Sequence, residues 1–292
     1  MSNSSIDTSS ITDIDHVIID EHSLSYETFS QGEKIYIFMN GWCSVRYFWT
    51  PYFNDFRVLG KCITLDLLGH FPSKVSSNFS NLNFNDILTI QSKAIKALSE
   101  DKKVTLVGHS AGGMFALAIG ALYPDLVEKA VAITPVVHGP TMGIFHLAKI
   151  LADLQLNISL EIFFDMIRNL PDYFHKWFEA GTYEKSEFVN RKEIAEFILN
   201  YHSHFIKLDP NIMGRYLQVL HDSDIRPLVK NSQLDALIIG ASDDPIVPVS
   251  QQREVSAIMK NSSYVEITPS GHIPTLEKRD ETISLILRYL QN

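Results

Sequence analysis

The fold of this chain is constrained most by a series of short β-branched and aliphatic runs: HVIID (16–20), LSYETF (24–29), KIYIFMN (34–40), CITLDL (62–67), VTLVG (104–108), KAVAIT (129–134), ALIIG (236–240) and YVEIT (264–268). From residue 34 onward most are apolar without alternation. A strand with one wet face alternates, so unbroken runs indicate strands covered on both faces, as in a parallel sheet. Helical segments lie between them. Residues 85–99 bring Ile87, Ile90, Ile95 and Leu98 near one stripe, and residues 276–290 do the same with Ile283, Ile286, Leu287 and Leu290. Strands alternating with helices predict an α/β fold with a mostly parallel sheet.

One interval breaks that rhythm. About 100 residues separate Thr134 from Ala236, whereas a parallel crossover needs only about a dozen. The interval reads as several helices (HLAKILADL, LEIFFDMIRNL, RKEIAEFILNYHSHFI, IMGRYLQVLH) separated by Pro, Gly, Asn and Asp. Its last part, 214–233, also suits a crossover helix of the main sheet. The expected organisation is a flexible tail at 1–15, a core at 16–137 and 213–292, and a helical insertion at 138–212.

With 292 residues, of which 45% are hydrophobic and 20% charged, the chain can bury a large core. A formal charge of -9 argues against a nucleic-acid partner, because an acidic surface repels a polyanion. No apolar run reaches the roughly 18 residues a membrane span needs. The opening MSNSSIDTSSITDID has no secretory pattern, which makes the cytoplasm the expected compartment. Cys43 and Cys62 alone are no disulfide framework and fit a reducing environment.

The stretch VTLVGHSAGGMFALAIG (104–120) turns from a buried strand into an apolar helix through a glycine-rich corner. A phosphate-binding loop would end in Gly-Lys-Ser/Thr, but Met114 and Phe115 follow Gly113. A dinucleotide fingerprint needs glycine two places after Gly108, where Ser110 stands. What remains is Gly-x-Ser-x-Gly, in which Gly108 and Gly112 clear space for a sharp turn that raises Ser110. That pattern arises by chance in a chain this long roughly one time in ten. A serine needs a base to take its proton and an acid to orient the base. Asp243 and Asp244 follow the strand ALIIG, and His272 follows YVEIT. All lie at carboxyl ends of strands, the edge where open parallel sheets gather their chemistry.

Together Gly-His-Ser-Ala-Gly-Gly (108–113), Asp-Pro-Ile-Val-Pro (244–248) and Gly-His (271–272) resemble the α/β-hydrolase fold family, over nearly everything from residue 16 onward. The resemblance implies a mostly parallel α/β-hydrolase sheet flanked by helices, with a helical cap inserted after the sixth strand. It assigns Ser110 as nucleophile, His272 as general base and then acid, and Asp244 as the orienting carboxylate. Asp243, three residues after Gly240, stands at another spacing the family uses. The oxyanion-hole donors it implies are the backbone N–H groups of Ala111 and Trp42. Two departures stand out. Asn40-Gly41-Trp42 has Asn where the family usually has His, which weakens the expected support of that loop. Asp66-Leu67-Leu68-Gly69-His70-Phe71-Pro72-Ser73 has Phe71 in place of a glycine, an aromatic that could reach toward the pocket.

Other residues have plainer readings. His202 and His204, two apart on a helix, point to different sides and make a poor metal pair, so no metal or other cofactor is expected. His70 and His109 belong to the structural motifs. Phe145, Phe163, Phe164, Met166, Phe174, Trp177 and Phe178 make the insertion aromatic. Core packing accounts for most of them, with a minority expected to line an apolar pocket. The candidate pocket residues are Asn40, Cys43, Phe71, Phe145 and Phe164.

The chemistry expected is acyl transfer from Ser110 to water, on an ester, thioester or lactone of a small hydrophobic acid. Serine at position 110 sets the chain apart from the haloalkane dehalogenases, which place Asp there. Acyl transfer to another acceptor, carbon–carbon bond hydrolysis, a lyase reaction, or ligand sensing by a receptor of this fold could use the same three residues.

Overall fold

The computed structural model describes residues 14–143, 146, 150 and 157–292. The expected tail therefore lies almost wholly outside the described residues. Eight strands form one sheet in the order β1-β2-β4-β3-β5-β6-β7-β8. These are β1 (Asp15–Ile19), β2 (His22–Thr28), β3 (Ile35–Met39), β4 (Lys61–Leu65), β5 (Val104–His109), β6 (Val127–Ile133), β7 (Asp235–Ala241) and β8 (Ser262–Ile267). β2 pairs antiparallel with β1 and β4, and every other pairing is parallel. The unbroken runs are the buried strands: all five residues of β3 and all six of β5 are buried.

Helix α1 (Phe84–Leu98) opens on a capping box, in which the Asn83 side chain accepts from the N–H of Asp86 and Asp86 accepts from the N–H of Asn83. It buries the predicted stripe of Ile87, Ile90, Ile95 and Leu98. Helix α2 (Ala111–Leu122) is apolar all round and almost entirely buried, as a helix at the centre of a large core must be. Between β6 and β7 the described helices are α3 (Asn157–Asn169), α4 (Pro171–Glu179), α5 (Lys192–Phe205) and α6 (Pro210–His221), with single turns at Ser186–Val189 and Arg226–Val229. The chain leaves and returns at one place, where Gly139 donates to the carbonyl of Ser223 and Ile225 donates to that of Val137. Beyond β7 lie α7 (Val249–Ile258) and α8 (Arg279–Gln291), the latter burying Ile283, Ile286 and Leu290.

Close packing at the corner requires its glycines. A Cβ on Gly108 would lie 2.1 Å from the carbonyl oxygen of Gly112, and one on Gly112 would lie 2.4 Å from that of Met39. No side chain fits at such distances, so α2 rests directly on β3 and β5.

The loop after β4 carries a buried ion pair. Asp66, wholly inaccessible, accepts from the guanidinium of Arg46 at 3.1 Å, the backbone N–H of Arg46 at 2.9 Å and the Ser25 hydroxyl at 2.7 Å. Burial pushes its carboxyl up to about 6, against the opposing pull of Arg46. Removing one partner of such a pair strands the other charge. Asp66→Ala is expected to destabilise the fold by about 3 kcal/mol, the lower end for a broken buried pair, because Glu27 still faces Arg46 at 3.3 Å. Urea unfolding of both proteins measures this, and an unchanged midpoint at equal m-value would refute it.

Candidate active site

Ser110 sits at the end of β5 with φ 56° and ψ -117°, outside the wells open to most residues. The turn is held on both sides: its N–H donates to the carbonyl of Ile133, and its own carbonyl accepts from Met114 and Val136. Ala111, immediately after it, begins α2 and is fully buried.

His272 follows β8. Its Nδ1 lies 2.8 Å from Oδ2 of Asp244, which is 6% exposed and follows β7. Oδ1 of Asp244 accepts from the N–H groups of Ile246 and Val247, both at 2.9 Å, and Oδ2 also accepts from Gln252 at 2.8 Å. All the acceptor capacity facing inward is thus used, and Nδ1 of His272 carries the proton because a carboxylate can only accept. Asp243, exposed at the surface, bonds Ser242 instead. The structure therefore brings Asp244, and not Asp243, to the histidine.

The His272 backbone is fixed as firmly as its ring. Its carbonyl accepts from Nε2 of His109 at 2.8 Å and from the Thr134 hydroxyl at 3.0 Å. The acceptor is a carbonyl, so the His109 proton resides on Nε2. Burial first, and the neighbouring His272 second, push His109 down to about 3, which keeps the ring neutral. The His272 N–H donates to the carbonyl of Gly181 at 2.7 Å, reaching across to the end of α4. Glu277 spans the same junction, accepting from Gly271 at 2.9 Å and from Tyr183 at 2.7 Å.

The loop after β3 meets Ser110 edge to edge, since a Cβ on Gly41 would lie 3.0 Å from Cβ of Ser110. Asn40 is fully buried, and neither atom of its amide has a hydrogen-bond partner. The support expected from that position comes from elsewhere. His70, pushed down to about 4 by burial, accepts the Cys43 N–H on Nε2 at 3.2 Å, and the Trp42 indole donates to the carbonyl of Met213 on α6 at 2.8 Å.

A cavity of about 200 Å³ opens at this junction. Trp42, Ser110 and His272 line it with Phe48, Val136, Leu217, Leu220, Ile246 and Ile273, and the insertion contributes Trp177, Phe178, Gly181 and Tyr201. Four of the candidate pocket residues lie off its wall. Asn40 and Cys43 are buried within the loop after β3, and burial raises the Cys43 thiol well above its usual range. Phe71 is 39% exposed, because the turn closed by Ser73 on the carbonyl of His70 sends it outward beneath the Lys207 ammonium. Phe164 packs inside the insertion, stacked on Phe205 with ring centroids 5.9 Å apart. Phe145, and the side chain of Phe163, lie outside the described residues. Among the other aromatics, Phe174 is buried against Phe205, and Trp177 and Phe178 reach the cavity. Ser44 and Tyr201, wall residues without a recognisable pattern, escape sequence reasoning. His202 and His204 do point apart: one bonds the carbonyl of Ile167, and the other stacks on Tyr47.

Ser110, Asp244 and His272 thus stand at the carboxyl ends of β5, β7 and β8 of one mostly parallel sheet. Residues 37–279 match the model of the alpha/beta hydrolase fold, and the chain belongs to that family. Among its relatives are RutD of Yersinia enterocolitica, provisionally named a carbamate hydrolase (23% identical, 83% of this chain and 82% of that one), and methylesterase 7 of Arabidopsis thaliana (23%, 88% and 96%). The enol-lactonase of Burkholderia xenovorans shares the fold, with a TM-score of 0.77 at 16% identity over 95% of this chain and 100% of that one. Among the described residues no helix is long and apolar enough to cross a membrane.

Glu277 gives the junction a pH dependence. Burial pushes its carboxyl up from 4.5 to about 7. A raised folded-state value means that its contribution to stability is whole below about 4.5 and is lost as pH climbs through about 7. The Tm advantage of wild type over Glu277→Gln should therefore be largest near pH 4.5 and shrink toward pH 8. Thermal scans of both proteins across that range test the sign, and an advantage growing with pH would contradict it.

Proposed function

We propose that the protein is a serine hydrolase cleaving a neutral ester, thioester or lactone of a small hydrophobic acid through an acyl-enzyme. The observation that carries this reading is the 2.8 Å contact of His272 Nδ1 with buried Asp244, made by a histidine that lines one cavity with the strained Ser110. Asp244 keeps the proton on Nδ1 and leaves Nε2 free to take the Ser110 proton as the hydroxyl attacks a carbonyl. The backbone N–H groups of Ala111 and Trp42 receive the developing oxyanion, where each donor is worth about a hundredfold to a thousandfold in rate. His272 then returns its proton to the leaving group, and a water it activates releases the acid. The helices between β6 and β7 act as the cap.

The substrate class follows from the wall. It carries no Asp, Glu, Lys or Arg side chain among the described residues, so a charged acyl group would lose hydration without a counter-ion. The ester and lactone chemistry named for methylesterase 7 and for the enol-lactonase fits the same reading.

A fluorophosphonate is expected to label the folded protein on Ser110, located by mass mapping, and Ser110→Ala should take no label. Equal labelling of that variant would sink the reading. Asp244→Asn should lower the rate of labelling and of ester turnover by about 10⁴, because an amide aimed at Nδ1 favours the wrong tautomer. A loss of less than tenfold would remove Asp244 from the mechanism. Incubation with water, alcohol and amine acceptors separates hydrolysis from acyl transfer: free acid as the main product supports the former.

A further inference from the structure

The cavity wall is apolar apart from a few groups, and one of them has a hydrogen to give. Ser44 lies in the turn after β3, where its N–H donates to the carbonyl of Gly41 at 3.2 Å. Tyr201, on α5, reaches down from the insertion. Its hydroxyl oxygen accepts the Val45 N–H at 3.2 Å, and its proton goes to Oγ of Ser44 in a very short hydrogen bond. Both residues line the cavity that holds Ser110 and His272.

Burial raises the Tyr201 phenol above its ordinary range, so it remains a donor. With Val45 on its oxygen and its proton on Ser44, Tyr201 fixes the Ser44 oxygen as an acceptor. The proton of Ser44 is then left over, and among the described residues no group accepts it. The other wall hydroxyl of the insertion side, Thr141, shares a hydrogen bond with His221. A hydroxyl that receives one hydrogen bond is a better donor for the next. Left unpaired in an apolar cavity, it carries a desolvation penalty.

Resting on the hydrolase reading above, we propose that Ser44, oriented by Tyr201, donates its hydroxyl proton to a second oxygen on the acyl part of the substrate. The preferred substrates are neutral acyl compounds bearing a keto, ether or ester oxygen along an otherwise apolar chain, rather than plain alkanoyl esters. Ser44 reads that oxygen, and Tyr201 positions Ser44.

The test uses 4-nitrophenyl hexanoate with its 3-oxo, 4-oxo and 5-oxo analogues. Each kcat/KM is divided by the spontaneous hydrolysis rate of that ester and normalised to the sites titrated by a fluorophosphonate. Wild type should prefer at least one oxo ester by about two- to tenfold, the range of one neutral hydrogen bond. Ser44→Ala should bring that ratio to one, Ser44→Thr should keep it by retaining a hydroxyl, and Tyr201→Phe should reduce it. The proposal is overturned if wild type shows no preference, if the preference survives Ser44→Ala, or if that variant slows all four esters alike. If no ester is turned over and Ser110 takes no label, the hydrolase reading fails and this proposal with it. Turnover without preference overturns this proposal alone.

Discussion

Helix α2 lies so close to strands β3 and β5 that no Cβ fits between them, and the placement of the active-site groups depends on that contact. Gly108 and Gly112 allow β5 to pass into α2 without a spacer, which forces Ser110 into a backbone conformation costing about 1–3 kcal/mol. The strain persists because hydrogen bonds to Ile133, Met114 and Val136 hold Ser110 on both sides. The same contact presses α2 on the carbonyl of Met39 and brings Gly41 against the serine. One close approach thus places the raised hydroxyl and the loop carrying Trp42 together.

The support of that loop shows how a departure from the family pattern is absorbed. Asn40 stands where the family usually has His, and its amide is buried without partners. His70, from the loop after β4, takes the Cys43 N–H instead, and the indole of Trp42 ties the loop to α6. Both anchors arise from segments distant in sequence, so reading positions 40–43 alone leaves the loop looking weaker than it is. The buried pair of Arg46 and Asp66 braces the same region from below.

Unbroken strand runs, the glycine corner and the polar residues after later strands were legible because each depends on local chemistry or on strand ends aligned by a parallel sheet. The resemblance already favours Asp244 over the adjacent Asp243, and three dimensions add the physical reason: the N–H groups of Ile246 and Val247 and the amide of Gln252 hold that carboxylate inward. The pocket was the least legible part. Phe164, Phe174 and Phe178 are alike as letters, yet helix packing sends the first two into the insertion's own core and the third to the cavity. Phe71 was expected to point inward and points out, because the direction of a loop side chain depends on the turn that carries it.

His272 and the roof of the cavity form one unit. The backbone of His272 is held by neutral groups: its N–H goes to the carbonyl of Gly181, and its carbonyl receives the His109 ring and the Thr134 hydroxyl. Gly181 and Tyr183 belong to the segment leaving α4, which also brings Trp177 and Phe178 to the wall. Glu277 joins the two segments by taking one N–H from each. Separating the roof from His272 would leave several backbone groups unpaired, each with a penalty of about 1–3 kcal/mol while it stayed buried. The contacts that set the shape of the cavity above Ser110 are therefore those that hold His272 in its wall.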